Sequence, residues 1–116
     1  MEIWHNPRCS KSRTARTALT EAGFAVDERR YLEQPPTAAD LEDVLVKLGL
    51  EPWDITRMAE PAAKDLDLKN LVRDRAAWIE VLVANPVLIQ RPIVITDDGR
   101  AFVVRDDESL EAVLKG

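Results

Sequence analysis

Two spacings of apolar residues run along this chain, and each change from one to the other marks an element boundary. Residues 2–5, around Ile3 and Trp4, form a short apolar run of the kind that makes a strand. Ala15, Ala18, Leu19 and Ala22 then fall at i, i+3, i+4 and i+7. That places them on one face of a helix from Ser10 to about Ala22, with Gly23 as its stop. Residues 24–31, from Phe24-Ala25-Val26 to Tyr31, read as a second strand. Gln34-Pro35-Pro36 breaks the chain. Thr37 follows as an N-cap with Asp40 three residues on, and Leu41, Val44, Leu45 and Leu48 repeat the helical spacing up to Gly49. From 50 to 73 the pattern weakens to short helical pieces at Pro52–Thr56 and Ala62–Leu66. A fuller helix is expected over 74–84, around Trp78-Ile79-Glu80-Val81-Leu82, closed by Asn85-Pro86. Pro92–Thr96 is a strand, Asp98-Gly99 a hairpin turn and Arg100–Val104 the antiparallel return. A last helix runs from about Asp107 to Leu114.

The order is β-α-β, several helices, then β-β-α. The two early strands, joined through a helix, are expected to lie parallel with a right-handed crossover, and the late hairpin adds two antiparallel strands. That is the α/β topology of the thioredoxin-like fold, a mixed four-stranded sheet, with a helical insertion over about 37–85. At 116 residues the expectation is one domain, 1–116. In that fold a reactive cysteine follows the first strand, at the N-terminus of the first helix, which is where Cys9 falls.

Composition narrows the function classes. A net charge of −5 makes this a poor ligand for nucleic acid or an anionic membrane surface. No apolar run is long enough for a membrane span, and the N-terminus lacks the basic-then-apolar pattern of a signal segment, so a cytoplasmic location is expected. The single cysteine cannot close an internal disulfide, which fits a reducing compartment. One cysteine and one histidine cannot furnish the four ligands of a structural zinc site, so no metal is expected. Trp4 and Trp78 are read as core. The acidic clusters at Asp40–Asp43 and Asp106–Glu108 are read as helix-start charges and solvated faces.

The candidate chemistry starts at Cys9. A free cysteine is commonly a small buried hydrophobe. Here Asn6-Pro7 signals a turn, Arg8, Lys11 and Arg13 add positive potential, and the amides of Ser10, Lys11 and Ser12 open a helix toward the sulfur. Those are the conditions that lower a thiol pKa and favour the thiolate. Ser12, one helical turn on, is either a hydroxyl donor to that thiolate or a solvated helix serine. His5, at the strand end, either favours the thiolate when protonated or makes a structural hydrogen bond. Arg57, Arg91 and Arg105 are candidates for binding an anion, against the ordinary reading of an arginine as a surface side chain. Arg91 stands out because Val87-Leu88-Ile89 and Pro92-Ile93-Val94-Ile95 flank it, and a charge in such a stretch needs a partner or a bound anion. Arg91-Pro92 is also a candidate cis peptide bond.

These segments resemble a known family. His5-Asn6-Pro7-Arg8-Cys9-Ser10-Lys11-Ser12-Arg13 resembles the active-site segment of the glutaredoxin-coupled, ArsC-type arsenate reductases, and the likeness covers nearly the whole chain. Tyr31-Leu32-Glu33-Gln34-Pro35-Pro36 is similar to that family's segment after the second strand. Ile55-Thr56-Arg57 with Glu60-Pro61 is similar to its first arginine segment, and Asn85–Val94 to its second. Arg105 falls where the third arginine would be, but Asp106 follows it where a proline is common. The chain lacks the C-terminal extension of the longer reductases and is closer to the short branch. The resemblance implies reduction of arsenate to arsenite. Cys9 would be the catalytic thiolate and Arg57, Arg91 and Arg105 the substrate-binding residues, with His5 and Ser12 stabilising the thiolate. It implies no bound cofactor, glutathione or an equivalent small thiol as co-substrate, a glutaredoxin-type protein as partner, and a monomer. Two rivals stand beside it. One is a non-enzymatic regulator of the same superfamily that binds RNA polymerase, although Ser12 in place of a second cysteine excludes an internal disulfide switch. The other is a thiol-dependent oxidoreductase with another substrate.

Overall fold

The computed structural model describes residues 1–115. It divides into two compact units, one made of Met1–Gln34 and the chain from Arg91 onward, the other of Pro35–Gln90. The second unit is therefore an insertion in the sequence of the first.

The first unit is built on four short strands, β1 (Glu2–Trp4), β2 (Asp27–Arg29), β3 (Ile93–Ile95) and β4 (Ala101–Val103), in the order β2-β1-β3-β4. β1 and β2 are parallel, as the β-α-β order requires, and β3 is antiparallel to both β1 and β4. Ile3 faces Val94, and Val94 faces Phe102, so one row of apolar side chains crosses three strands on one face. Helices α1 (Ser10–Glu21) and α5 (Asp107–Lys115) cover that face. Ala15 and Leu19 of α1 and Val113 of α5 are buried with Ile3, Val94 and Val104. The mixed sheet matches the expected topology. The predicted second strand contracts from 24–31 to Asp27–Arg29, because the Phe24 N–H is taken by the Leu19 carbonyl at 3.1 Å as α1 ends. Phe24 and Val26 still pack on the core, but from a loop.

The second unit holds α2 (Ala38–Leu48), α3 (Pro61–Asp65), α4 (Arg75–Ala84) and 3₁₀ turns at Pro52–Ile55, Leu68–Asn70 and Pro86–Leu88. α2 begins as the sequence predicts. The Thr37 hydroxyl accepts the Asp40 N–H at 3.1 Å, and the Asp40 carboxylate accepts the Thr37 N–H at 3.0 Å. It ends at Gly49, whose φ of 69° is left-handed and favours glycine. Leu41, Val44 and Leu45 are buried, as are Trp78, Ile79 and Leu82 of α4. The Trp78 ring meets Trp53 edge-on at 6.1 Å and donates its indole N–H to the Val72 carbonyl at 3.0 Å. Loss of the capping box has a predictable cost. Thr37→Ala is expected to destabilise this unit by about 1 kcal/mol, measured by chemical denaturation, with Thr37→Ser retaining most of the stability.

Among the described residues no helix is long and apolar enough to cross a membrane.

Candidate active site

The site is built on the turn between β1 and α1. The parallel ladder runs one residue past β1, with the His5 N–H donating to the Arg29 carbonyl at 2.7 Å. Asn6 then closes the turn from three directions. Its side-chain oxygen accepts the Arg8 N–H at 3.0 Å, its carbonyl accepts the Cys9 N–H at 3.0 Å, and its own N–H donates to Ser12 Oγ at 3.4 Å. Arg13 ties the far side down, its guanidinium donating to the Pro7 carbonyl at 2.9 Å. These bonds hold Cys9 in an extended conformation as the N-cap of α1, half-buried, with its thiol at the helix entrance.

The first backbone N–H groups of α1 act on the Cys9 sulfur. Burial pushes the thiol pKa up. The Ser12 backbone N–H, the Arg91 side chain and the Lys11 backbone N–H outweigh burial and lower it from an ordinary 9.0 to about 7. Near neutral pH about half of the molecules then carry a thiolate, against roughly one in a hundred for an unshifted thiol. Ser12 acts here through its amide, while its fully buried hydroxyl oxygen receives Asn6.

Arg91 stands at the start of the return to the sheet, one residue before Pro92, and the Arg91-Pro92 bond is cis as expected. Burial works against its charge, but Cys9 and Tyr31 more than offset this and keep it a cation. Its Nε and Nη1 are buried and, among the described residues, have no hydrogen-bond partner. An arginine in that condition is short of acceptors, and a small oxyanion beside Cys9 would supply them.

Of the two readings open for His5, the structure favours the structural contact over the protonated ring. It is 3% exposed, and burial is the main cause that lowers its pKa. Glu28 opposes that shift, while Arg16, Arg30 and Arg13 add to it. The ring is therefore neutral near pH 7, and the positive charge at the thiol comes from Arg91. His5 Nε2 lies 3.3 Å from Glu28 Oε1, and Glu28 is itself held by Arg16 at 3.2 Å and Arg30 at 3.3 Å. With Nε2 on the carboxylate, buried Nδ1 is left with no partner among the described residues. A histidine whose folded pKa lies below 6.5 takes up a proton on unfolding, so the stability it contributes is lost as pH falls through 6.5. His5→Gln is expected to flatten that acid-side loss in denaturation curves measured across this range.

Arg57 belongs to the second unit, where its guanidinium pairs with the Glu60 carboxylate. Arg105 follows β4. Its side chain is exposed and opens on a cavity with Ser10, Lys11, Thr14, Asp106 and Asp107. Sequence reasoning missed Glu28 and Tyr31. Glu28 sits opposite Ile3 in the parallel register, and Tyr31 is fully buried and acts on Arg91. Glu28 meets His5 through the pairing of β1 with β2, and Tyr31 acts on Arg91 from the turn after β2, and neither contact shows in local spacing.

A cysteine with a lowered pKa at a β1–α1 turn of a mixed four-stranded sheet, beside an arginine that precedes a cis-proline, is the arrangement of a thioredoxin-like fold. The profile of the ArsC family matches residues 4–113, and the chain belongs to that family. It is 50% identical to an uncharacterized protein from the glnII region of Streptomyces viridochromogenes, over 98% of both chains. It is 41% identical to an arsenate reductase of Neisseria meningitidis, over 98% of this chain and 97% of that one. Among solved structures, an arsenate reductase from Vibrio cholerae superposes with a TM-score of 0.86 at 35% identity, covering 99% of this chain and 97% of the other.

Proposed function

We propose that this protein is an oxidoreductase that reduces arsenate to arsenite, with Cys9 as nucleophile. The observation that carries this reading is the pairing of the Cys9 thiol, at about 7, with a guanidinium whose buried Nε and Nη1 lack acceptors. Arsenate is a tetrahedral oxyanion, and its oxygens match the fork that Arg91 presents. The arsenate reductase relatives support the same substrate.

The Cys9 thiolate attacks arsenic, a sulfur–arsenic bond forms, and one oxygen leaves as water after protonation. Arg91 carries the negative charge gathered on the remaining oxygens. An external small thiol, glutathione or an equivalent, next attacks the Cys9 sulfur. The sulfur–arsenic electron pair stays on arsenic, which passes from As(V) to As(III) and departs as arsenite, and a mixed disulfide forms at Cys9. A glutaredoxin-type protein attacks that disulfide through its own thiolate and regenerates Cys9. Arg57 and Arg105 are the weaker candidates for substrate contact. Arg57 is paired with Glu60.

The test is arsenite formation by purified protein given arsenate, glutathione and a glutaredoxin. Turnover that requires all three is the expected result. Arsenite no greater than that from a Cys9→Ser control would remove this reading.

A further inference from the structure

Another cavity, of about 340 Å³, opens where α1 meets the β2 edge of the sheet. Its walls include His5 after β1, Arg13 and Arg16 of α1, Glu28 of β2 and Arg30 just beyond it. Neither Cys9 nor Arg91 lines it, and β2 lies across β1 from β3, the strand that Arg91 leads into. Three guanidinium groups meet one carboxylate here, and the His5 ring is neutral near pH 7. The walls therefore carry an excess of two positive charges, in a chain whose net charge is −5. Glu28 does not saturate these donors. Arg16 Nε lies 3.2 Å from it, Arg30 Nε 3.3 Å and His5 Nε2 3.3 Å. Charge-assisted bonds of this kind usually close to about 2.7–2.9 Å, so one carboxylate is spread over three partners. Arg13 gives Nη1 to the Pro7 carbonyl. A guanidinium has about five N–H donors, and among the described residues each of these three commits one nitrogen. His5 adds an independent sign. It is buried, and its Nδ1 has no partner among the described residues. That nitrogen is an acceptor in the neutral ring and a donor once the ring is protonated.

Spare donors around a single carboxylate, with two uncompensated positive charges, suit a ligand that brings two negative charges and several acceptor oxygens. We propose that this cavity binds a dianionic phosphoryl group, as free phosphate or as a small phosphate monoester, with the Arg13, Arg16 and Arg30 guanidiniums as its donors. Phosphoryl oxygens match the planar guanidinium fork two at a time. The volume leaves room for more than the phosphoryl group, since it falls at the small end of the about 300–1,000 Å³ range of small-molecule sites. Arg16 and Arg30 are about half exposed, so a ligand reaches them directly from solvent. The site does not rest on the proposed arsenate chemistry. It gives a use to three arginines that the reaction leaves aside. Through its bond to Pro7, Arg13 also fastens the turn that carries Cys9, so the ligand would meet the frame of that turn without meeting the thiol.

The test titrates glycerol 3-phosphate, inorganic phosphate and, at matched ionic strength, sodium chloride into the whole protein. His5 is the one histidine of the chain, so its ring signals in NMR report on the cavity without overlap, and calorimetry gives the affinity. Both phosphates are expected to shift those signals saturably and to raise the His5 pKa, and chloride to do neither. Burial chiefly, then the charges of Arg16, Arg30 and Arg13, lower that pKa against the pull of Glu28, and an anion among the arginines offsets their share. Tighter binding of the ester assigns the site to monoesters, and equal binding assigns it to free phosphate. Arg16→Gln and Arg30→Gln should each weaken binding by about three- to tenfold. Glu28→Gln removes the competing carboxylate and should strengthen binding by a similar factor. The His5 response should persist in Arg91→Ala. No saturable response to either phosphate overturns the proposal, and that result needs only the wild-type protein. A response lost in Arg91→Ala but kept in Arg16→Gln overturns it too, since the anion would then sit at Arg91. Arsenite formation plays no part in these readouts, so this site and the arsenate reading stand or fall separately.

Discussion

Cys9→Ser is expected to abolish arsenite formation while leaving arsenate binding in place. A serine hydroxyl is not ionised near neutral pH, so no nucleophile remains to form the bond to arsenic, and turnover should fall by about a thousandfold or more. Arg91 persists in this variant and loses its negative neighbour, so its buried Nε and Nη1 still want acceptors. Arsenate should therefore still raise the melting temperature of Cys9→Ser. The pair of readouts separates the two halves of the site, chemistry at the sulfur and binding at the guanidinium. Loss of both together would mean that the cysteine does more than react.

Arg91→Ala is expected to damage both halves. The side chain lowers the Cys9 pKa by hydrogen bonding and by charge, so its removal should raise the thiol from about 7 toward 9.0. The Ser12 and Lys11 amides remain and keep it from returning fully. Turnover should drop by about 10²–10³, the scale on which removal of a group that stabilises developing oxyanion charge is felt. Arg91→Lys sharpens the point. Lysine restores a positive charge without the planar fork, so the thiol should titrate closer to wild type while the KM for arsenate stays high.

The reactive turn was readable in the sequence because its determinants are local. A strand end, Asn6-Pro7 and an apolar helical face beginning a few residues later place Cys9 at a helix entrance, and the structure adds how Asn6 closes the turn. Arg91 was readable for a different reason, as a charge inside an apolar stretch that had to find a use. The Thr37–Asp40 cap and the Gly49 stop were likewise written in short-range chemistry. What escaped depends on contacts between distant segments. Glu28 reaches His5 only through the parallel pairing of β1 with β2. The ring beside it is buried, which lowers its pKa, and of the two roles open to His5 the structural contact is the one seen. The 3₁₀ turn at Leu68–Asn70 had no periodic signal, since it starts from Asp67 in a left-handed conformation, φ 52°. Arg105 is an anion-ligand candidate by position, with Asp106 beside it in the sequence, and the structure adds that Lys11 of α1 shares its cavity.

The proposed chemistry depends on Cys9, whose pKa Arg91 helps to lower to about 7. The most direct measurement is the pH titration of Cys9 by the ultraviolet absorbance of its thiolate, in the wild-type protein and in Arg91→Ala. A midpoint of about 7 that rises in the variant is the predicted result. A wild-type midpoint near the ordinary 9.0, unmoved by loss of Arg91, would contradict the account.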